Sequence, residues 1–557
     1  MQQRTILSTI EGHAAADPAR VFCRFQTGAG TEAIGYADLL RRAEGFAGAF
    51  AAAGIGRQDT VIVILQHRPE LLYGFFGAMR LGAVPAFMPF PSPKQDHALF
   101  WSSHRKLLAL TGIRFILTYR AIAAGIDEHF TGLDVRVLYV EDILEGLAAG
   151  TVPPAPPAPA IAPEDVAFLQ HSSGTTGLKK GVMLSHAAVL RQIDRYAGVL
   201  GFGPGDVVVS WLPLYHDMGL ISCLMMTAVT GAELVCMDAF EWVRRPTMLL
   251  DAIEQHRGTF AYLPNFAFLH IARAARPGQR WDLGSLRALV NCSEPCKPQS
   301  FDAFLAAFGD CGIGRGTLQV CYAMAENVFA VSQTTPGQPV ASLDLDVEAL
   351  ESEARIVPAA PGRDSRQVLS CGRPLPGAEV RILDGAGGDA APDLAGQIAI
   401  RTDCLFTGYN HLPELTAEKL VDGWYRTGDL GFLHAGELYV LGRQDDLMIV
   451  YGRNYYAHNI EEVVTACDGI APGRVVAFAV ESRQMGTREA VVLLEPDGTR
   501  EAAELRRAVK ARVFDVLGLT LQHVEVVPRN SLVKSTAGKI SRDQNRRRYM
   551  EERAGNG

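Results

Sequence analysis

The stretch Ser-Ser-Gly-Thr-Thr-Gly-Leu-Lys-Lys-Gly-Val-Met, beginning at Ser172, carries the clearest chemistry in the chain. Its hydroxyls and paired lysines supply donors and positive charge, and its glycines let backbone N–H groups approach a ligand closely. That is equipment for holding a chain of phosphates. A Gly/Thr cluster also suits an ordinary surface turn, so the loop gains its weight from what lies downstream. A P-loop is excluded locally, because that motif puts Gly-Lys-Ser/Thr after four residues so that the hydroxyl meets magnesium. Here Lys180 precedes Gly181, and the Gly538-Lys539 pair is followed by Ile540. The Gly201-Phe202-Gly203 run continues into Pro204 and Gly205, so it is not a dinucleotide fingerprint.

Such a loop must be delivered by a strand, and residues 166–170 read as a short apolar strand directly before it. Upstream, helical patterns over 36–56 and 66–81 alternate with apolar segments at 61–65, 115–118 and 135–140. This alternation predicts a parallel sheet covered by helices. The proline-rich run 152–159 can be neither helix nor central strand and reads as an extended connector. A second alternating region covers 206–330. Beyond it, short β runs at 368–371, 379–383, 397–401 and 438–441 are separated by Gly, Pro and Asp turns, which predicts a compact barrel-like unit. A charged turn at 442–446 then leads into helix 459–467, strands 474–481 and 489–494, and helix 501–517. The expected class is α/β. A large N-terminal domain (1–442) has helix-covered sheets and a β-barrel-like subdomain, followed by a hinge (443–446) and a small mobile α+β C-terminal domain (447–557).

A chain of 557 residues suggests roughly three to four folding units. The net charge of −8 argues against a nucleic-acid partner, whose footprint is a basic surface. A basic cluster at Arg542 and Arg546 to Arg548 reads as a solvated helix face or a docking patch for an acidic protein. The ten cysteines include no Cys-x-x-Cys pair, which points to reduced, buried thiols and a cytoplasmic setting. Segment 71–90 contains Arg80, Pro85 and Pro89, and 220–232 is too short to span a bilayer, so both are read as core. The N-terminal segment is too polar for a signal peptide.

Four further strings give the loop, 172–181, its context: 322–326, 425–430, 442–461 and 534–540, in this order and spread with it over the whole chain. Together they resemble the adenylate-forming superfamily of acyl- and aryl-CoA synthetases, peptide-synthetase adenylation domains and luciferases. A finer resemblance is to fatty acyl-AMP ligases. It rests on Ser-Trp-Leu-Pro-Leu-Tyr-His-Asp-Met-Gly at 210–219, Asn-Cys-Ser-Glu-Pro at 291–295, Leu-Ser-Cys-Gly-Arg-Pro at 369–374 and Gly-Arg-Asn-Tyr-Tyr at 452–456. Residues 337–367 resemble the extra segment that separates these ligases from CoA ligases.

The resemblance implies attack of a carboxylate on the α-phosphorus of ATP with release of pyrophosphate. Two anions must meet, so the site has to neutralise charge and hold an in-line geometry. Ser172, Ser173, Gly174, Thr175, Thr176 and Gly177 would cradle the phosphates, with Lys180 adding a point charge. Glu326 and Thr176 match the ligands of Mg2+. Lys539, on a Ser-Thr-Ala-Gly loop, matches the lysine that contacts the carboxylate and α-phosphate. Tyr322 offers a face to adenine, Ala323 leaves room beside it, Cys321 and Ala325 flank it, and Ser293 and Glu294 match the opposite wall. Asp429 would accept the ribose hydroxyls and Arg443 would donate to them. His216 matches the histidine between the acyl and adenylate pockets. Departures from the family pattern are Ala323 in place of glycine, Asn327 after the glutamate, and Leu178-Lys179 in place of a proline; none removes a charged participant.

The implied activity is ATP-dependent formation of a fatty acyl-AMP, followed by transfer to the phosphopantetheine thiol of an acyl carrier protein. An acyl-CoA ligase is the alternative within the class, and a non-catalytic acyl-nucleotide binding protein the alternative outside it. A luciferase-like oxygenase has no feature of its own here, and fold alone does not fix function. Because Lys539 would occupy space the thiol needs, the resemblance implies rotation about Asp445 between the two steps. Asp445→Pro is therefore expected to spare acyl-AMP formation and depress transfer. Equal loss of both half-reactions, measured separately, would count against a hinge at that residue.

Overall fold

Apolar runs bounded by helices form the inner strands of two large sheets. The computed structural model describes residues 4–27, 30–91, 97–172, 180–450, 453–481, 488–534 and 540–555. One sheet has nine strands, running from Arg373–Pro374 through Ala330–Gln333, Leu318–Ala323, Ala288–Asn291, Phe260–Leu263, Val207–Ser210, Glu233–Met237 and Val21–Thr27 to Gly30–Gly35. Its six inner strands are parallel, and antiparallel strands close the two edges. Parallel strands need crossovers and covering helices, which accounts for the alternation in sequence.

The other large sheet has seven strands, in the order Gly408–Tyr409, Lys180–Ser185, Val166–Ser172, Val84–Phe87, Thr60–Val63, Phe115–Thr118 and Arg136–Tyr139. The apolar segment 71–90 becomes helix Glu70–Arg80 and strand Val84–Phe87, with every strand position buried. Phe75 and Phe76 are fully enclosed, each stabilising the core by on the order of 2–3 kcal/mol. Among the described residues no helix is long and apolar enough to cross a membrane.

The β runs after residue 370 join an antiparallel five-stranded sheet. Strand Trp424–His434 is its hub and pairs with Gly396–Arg401, Leu420–Val421 and Glu437–Arg443; Glu379–Leu383 forms the outer edge. Further on, hairpin Leu447–Val450/Arg453–Tyr456, helix Ala457–Thr465, a three-stranded sheet and helix Ala502–Leu517 share a separate apolar core, running from Met448 to Val524. The charged turn at 442–446 is a short 3-10 turn, Gln444–Asp446, between strands Glu437–Arg443 and Leu447–Val450.

Segment 337–367 builds hairpin Ser342–Asp346/Ser365–Leu369 around helix Val347–Glu353. Its Leu345, Leu350 and Val368 pack with Phe432, Tyr439, Leu441 and Tyr456. Arg366 extends this contact into the C-terminal segment. Its guanidinium lies over the Tyr456 ring at 5.2 Å, donates to the Leu441 carbonyl at 3.3 Å, and sits 3.3 Å from His458 Nε2. Gly442 lets this happen: a Cβ there would come within 2.9 Å of both Tyr456 and His458.

Glu351, on the same helix, is buried at 4% exposure. Burial pushes its carboxyl up to about 7, against the opposing pull of Arg453 and Arg366. The native state therefore keeps a proton that the unfolded chain has lost between about pH 4.3 and 7. This group's contribution is intact at low pH and declines as pH rises through 7, by up to about 3 kcal/mol. Glu351→Gln should remove the decline. The melting temperature of the variant should fall less than wild type between pH 5 and 8, and identical losses would refute the assignment.

Candidate active site

Strand Val166–Ser172 and strand Lys180–Ser185 pair antiparallel, with Ser172 opposite Lys180. The segment expected to hold phosphates thus lies between two neighbouring strands of one sheet. Ser173, Gly174, Thr175, Thr176 and Gly177 lie outside the described residues, as does Lys539. Strand Gly408–Tyr409 adds to the free side of Lys180–Ser185, bringing the Tyr409 ring to 5.4 Å from Lys180 Nζ. Burial pulls the Lys180 ammonium below its ordinary range, and the charge of Glu326 opposes that.

Glu326 sits on a 3-10 turn, Ala325–Asn327, just after strand Leu318–Ala323. The Tyr409 hydroxyl donates to Glu326 Oε1 at 2.7 Å and lies 3.1 Å from the Tyr425 hydroxyl. Burial, with the Glu326 charge next, holds both phenols protonated far above their ordinary range. They are fixed donors at neutral pH. The turn itself is strained: Val328, a β-branched residue, has φ +62 and ψ −56, a region costing about 1–3 kcal/mol. Asn327 holds it in place. Its side chain is buried and donates to the Ala330 carbonyl at 2.7 Å, while Gln192 donates to the Asn327 carbonyl at 3.1 Å. The asparagine that departs from the family pattern has this structural job.

Tyr322 is 9% exposed, and its hydroxyl donates to Asp429 Oδ2 at 2.6 Å. Arg443 Nε stands 3.5 Å from Asp429 Oδ1 across the pairing of their strands. Burial raises the Asp429 carboxyl and the Arg443 charge opposes the rise. The adenine and ribose candidates are thus joined to one another, with Oδ1 facing the guanidinium and suited to accept from a sugar hydroxyl. Ala323 is half-buried and Ala325 buried beside Tyr322. Cys321 faces the core, where burial and neighbouring Cys292 push its thiol up.

Ser293 adopts φ +72 two residues past strand Ala288–Asn291, and its hydroxyl lies 3.8 Å from Met218 Sδ. The Glu294 carboxylate accepts from the Phe266 amide at 2.6 Å. The wall is braced from below by buried Asn291, which donates to Asn265 at 2.9 Å. His216 lies in the turn before a π-helix, Met218–Met225, and its carbonyl accepts from the Leu220 amide at 2.8 Å. Asp217 caps that helix through the Met218 amide. Gly219 is required there, since a Cβ would fall 2.4 Å from the Pro213 carbonyl oxygen. π-Helical turns concentrate at functional sites. Asp445 is exposed on the 3-10 turn.

Sequence reasoning assigned no role to Tyr409, Tyr425, Asn327 or Met218. Tyr425 and Met218 lie inside the motif strings 425–430 and 210–219, and Asn327 follows a third; the Gly408-Tyr409 pair has no local signal. For the metal, no cluster of three or more His, Cys, Asp or Glu exists among the described residues. Mg2+ that keeps waters and binds substrate phosphates needs only one or two carboxylates. Glu326, oriented by a phenol, fits that demand.

The family described as AMP-binding enzyme matches residues 10–410. The medium-chain-fatty-acid–[acyl-carrier-protein] ligase JamA of Moorena producens is 29% identical, over 89% of this chain and 86% of its own length. The long-chain-fatty-acid–AMP ligase FadD26 of Mycobacterium marinum is 28% identical, over 89% of this chain and 88% of its own. A solved chain from a study of fatty acyl-adenylate ligases of E. coli and L. pneumophila superposes with a TM-score of 0.90 at 26% identity, covering 99% of this chain and 98% of that one.

If the Tyr409 phenol orients a metal-binding carboxylate, Tyr409→Phe should weaken apparent Mg2+ affinity about 10–100-fold. A magnesium titration of pyrophosphate exchange measures this. An unchanged titration curve would remove Tyr409 from the site.

Proposed function

The chain belongs to the AMP-binding enzyme family and is similar to fatty acyl-AMP ligases, and we propose that it activates a fatty acid as acyl-AMP and passes the acyl group to a carrier protein. The observation that carries this reading is convergence. Glu326, Tyr409, Tyr425 and Lys180 meet at one point, and Tyr322, Asp429 and Arg443 at another, although they come from three different sheets.

In this reading, Asp429 and Arg443 hold the ribose and Tyr322 borders the base. A carboxylate oxygen attacks the α-phosphorus, the bond to the bridging oxygen breaks, and pyrophosphate leaves with the electron pair. Lys180 offsets charge on the phosphates, and Lys539, outside the described residues, would do so at the carboxylate and α-phosphate. Mg2+ held by Glu326 supplies further neutralisation. His216 would border the acyl and adenylate pockets. A thiol then attacks the acyl carbon, loses its proton, and AMP departs.

The mobile C-terminal domain from 447 and a hinge at Asp445 belong to the same proposal. Support for the carrier as acceptor comes from the likeness to JamA, a medium-chain-fatty-acid–[acyl-carrier-protein] ligase. Transfer to free CoA is the competing outcome.

Acid-dependent ATP–pyrophosphate exchange across acids of increasing length tests the first half-reaction. Exchange should appear with fatty acids and fall at least 100-fold in Glu326→Gln. Nucleotide binding without exchange for any acid would leave only a binding protein. Thioester formation with holo carrier protein against CoA then decides the acceptor, and a preference for CoA would overturn the transfer step.

A further inference from the structure

We propose that the outward face of helix Ala502–Leu517 is the surface on which the acidic carrier protein docks, an inference that rests on the acyl-transfer reading above.

The helix seats Leu505, Val509 and Val513, all fully buried, against the C-terminal core at four-residue spacing. On a 3.6-residue helix this turns Ala503, Arg507, Lys510 and Phe514 to the opposite side. Phe514 is 56% exposed and Val516, at the same helix end, 54%. They are the two most exposed large apolar side chains among the described residues. Val516 turns back toward the side of the buried residues, so Phe514 is the apolar side chain of the outward face, and it stands between Arg507 and Lys510. An isolated surface apolar residue needs no explanation; an aromatic set between two cations is a different matter.

The charge around Phe514 is unneutralised. Arg507 has no ion-pair or hydrogen-bond partner among the described residues. Lys510 spends one bond on the Gln522 carbonyl at 3.0 Å and meets no carboxylate there. Of the helix's two acids, Glu504 already faces Arg500 at 3.7 Å, which leaves Asp515 at the rim.

The terminal helix Arg542–Gly555, the basic cluster singled out in the sequence, behaves in the opposite way. Arg546 and Arg547 both pair with Asp543, at 3.2 and 2.8 Å, and Arg548 pairs with Glu552 at 2.9 Å. Arg542 is engaged by Asp446 and Glu461. These four arginines are already paired with carboxylates.

An exposed aromatic flanked by two cations that meet no carboxylate fits a partner that presents an apolar spot among carboxylates: the apolar centre supplies affinity and the charges supply encounter rate and register. A carrier protein has that acidic surface. A nucleic acid or membrane would need a broader positive field than a chain of net charge −8 offers.

The test uses the full-length chain carrying Arg507→Glu with Lys510→Glu, and separately Phe514→Ala. Each should raise KM for holo carrier protein at least tenfold. Acid-dependent pyrophosphate exchange and acyl transfer to free pantetheine should stay within twofold of wild type. Wild-type KM should climb with salt, the double variant's should not, and a carrier with matching Glu→Lys changes should restore the double variant. An unaltered carrier KM in both variants, with wild type active on the carrier, overturns this face alone. Parallel loss of transfer to pantetheine overturns it too, because the damage is then not in docking. A wild-type chain that acylates no carrier overturns the transfer reading along with it.

Discussion

Two phenol-to-carboxylate hydrogen bonds join three sheets at one place. Tyr409, on the last strand of the seven-stranded sheet, holds Glu326, which follows a strand of the nine-stranded sheet. Tyr322, on that same strand, holds Asp429 in the five-stranded sheet. A buried hydrogen bond to a charged group is worth about 1.5–3 kcal/mol, and losing one partner leaves a carboxylate unsatisfied. Each bond therefore fixes the relative placement of two sheets and aims a carboxylate. A site that must admit two anions starts with its own negative charges already oriented and partly compensated.

Much of this was legible in sequence, and the failures have a pattern. The motif residues Tyr322, Glu326, Asp429 and Arg443 could be named because their strings are local. Their pairing could not, because the partners are 83 and 107 positions apart. Tyr409 sits on a two-residue strand whose only merit is its place beside Lys180–Ser185, and nothing in Gly-Tyr-Asn announces that. Boundaries moved for stated local reasons. The helix expected over 36–56 ends at Ala52, because Gly54 takes φ +82. The one expected over 66–81 begins at Glu70 after Pro69, where a proline is tolerated. The strand expected at 368–371 begins earlier, at Ser365, where polar residues lie on an exposed edge hairpin. Helix His97–Thr111 went unread: its buried face keeps helical spacing through Phe100, Trp101, His104, Leu107, Leu108 and Thr111, but two of these are polar and Leu110 is exposed, which blurs the pattern in sequence.

The extra segment 337–367 shows the same division between what a string reveals and what packing adds. Position and a few residues marked it as an insertion. That Arg366 would reach across Gly442 to Tyr456 and His458 follows only from the fold. Burial, with Arg366, Lys297 and Arg542 nearby, lowers His458 well below its ordinary range, so the ring stays neutral beside the guanidinium. Lys297, close behind the Ser293-Glu294 wall, adds a 2.7 Å ion pair to Glu462. That pair is half exposed and so contributes little to stability. Contacts of this kind suit a junction that must hold one arrangement without forbidding another.

The proposed hinge gains a physical rationale from its neighbours. Upstream, Arg443 is held by strand pairing with Asp429 and by their ion pair. Downstream, Asp446 is gripped by the Arg542 guanidinium, which also binds Glu461 at 2.8 Å and the Ala477 carbonyl at 2.8 Å. Burial raises the Glu461 carboxyl while Arg542 opposes that, so the cluster is costly to open: an unpaired charge left in such a place destabilises by several kcal/mol. Rotation beyond Asp446 would have to break it, and rotation before Arg443 would have to break the Arg443–Asp429 pair. Gln444 and Asp445 are the residues left between the two anchors, both exposed, and a change of φ and ψ there disturbs neither.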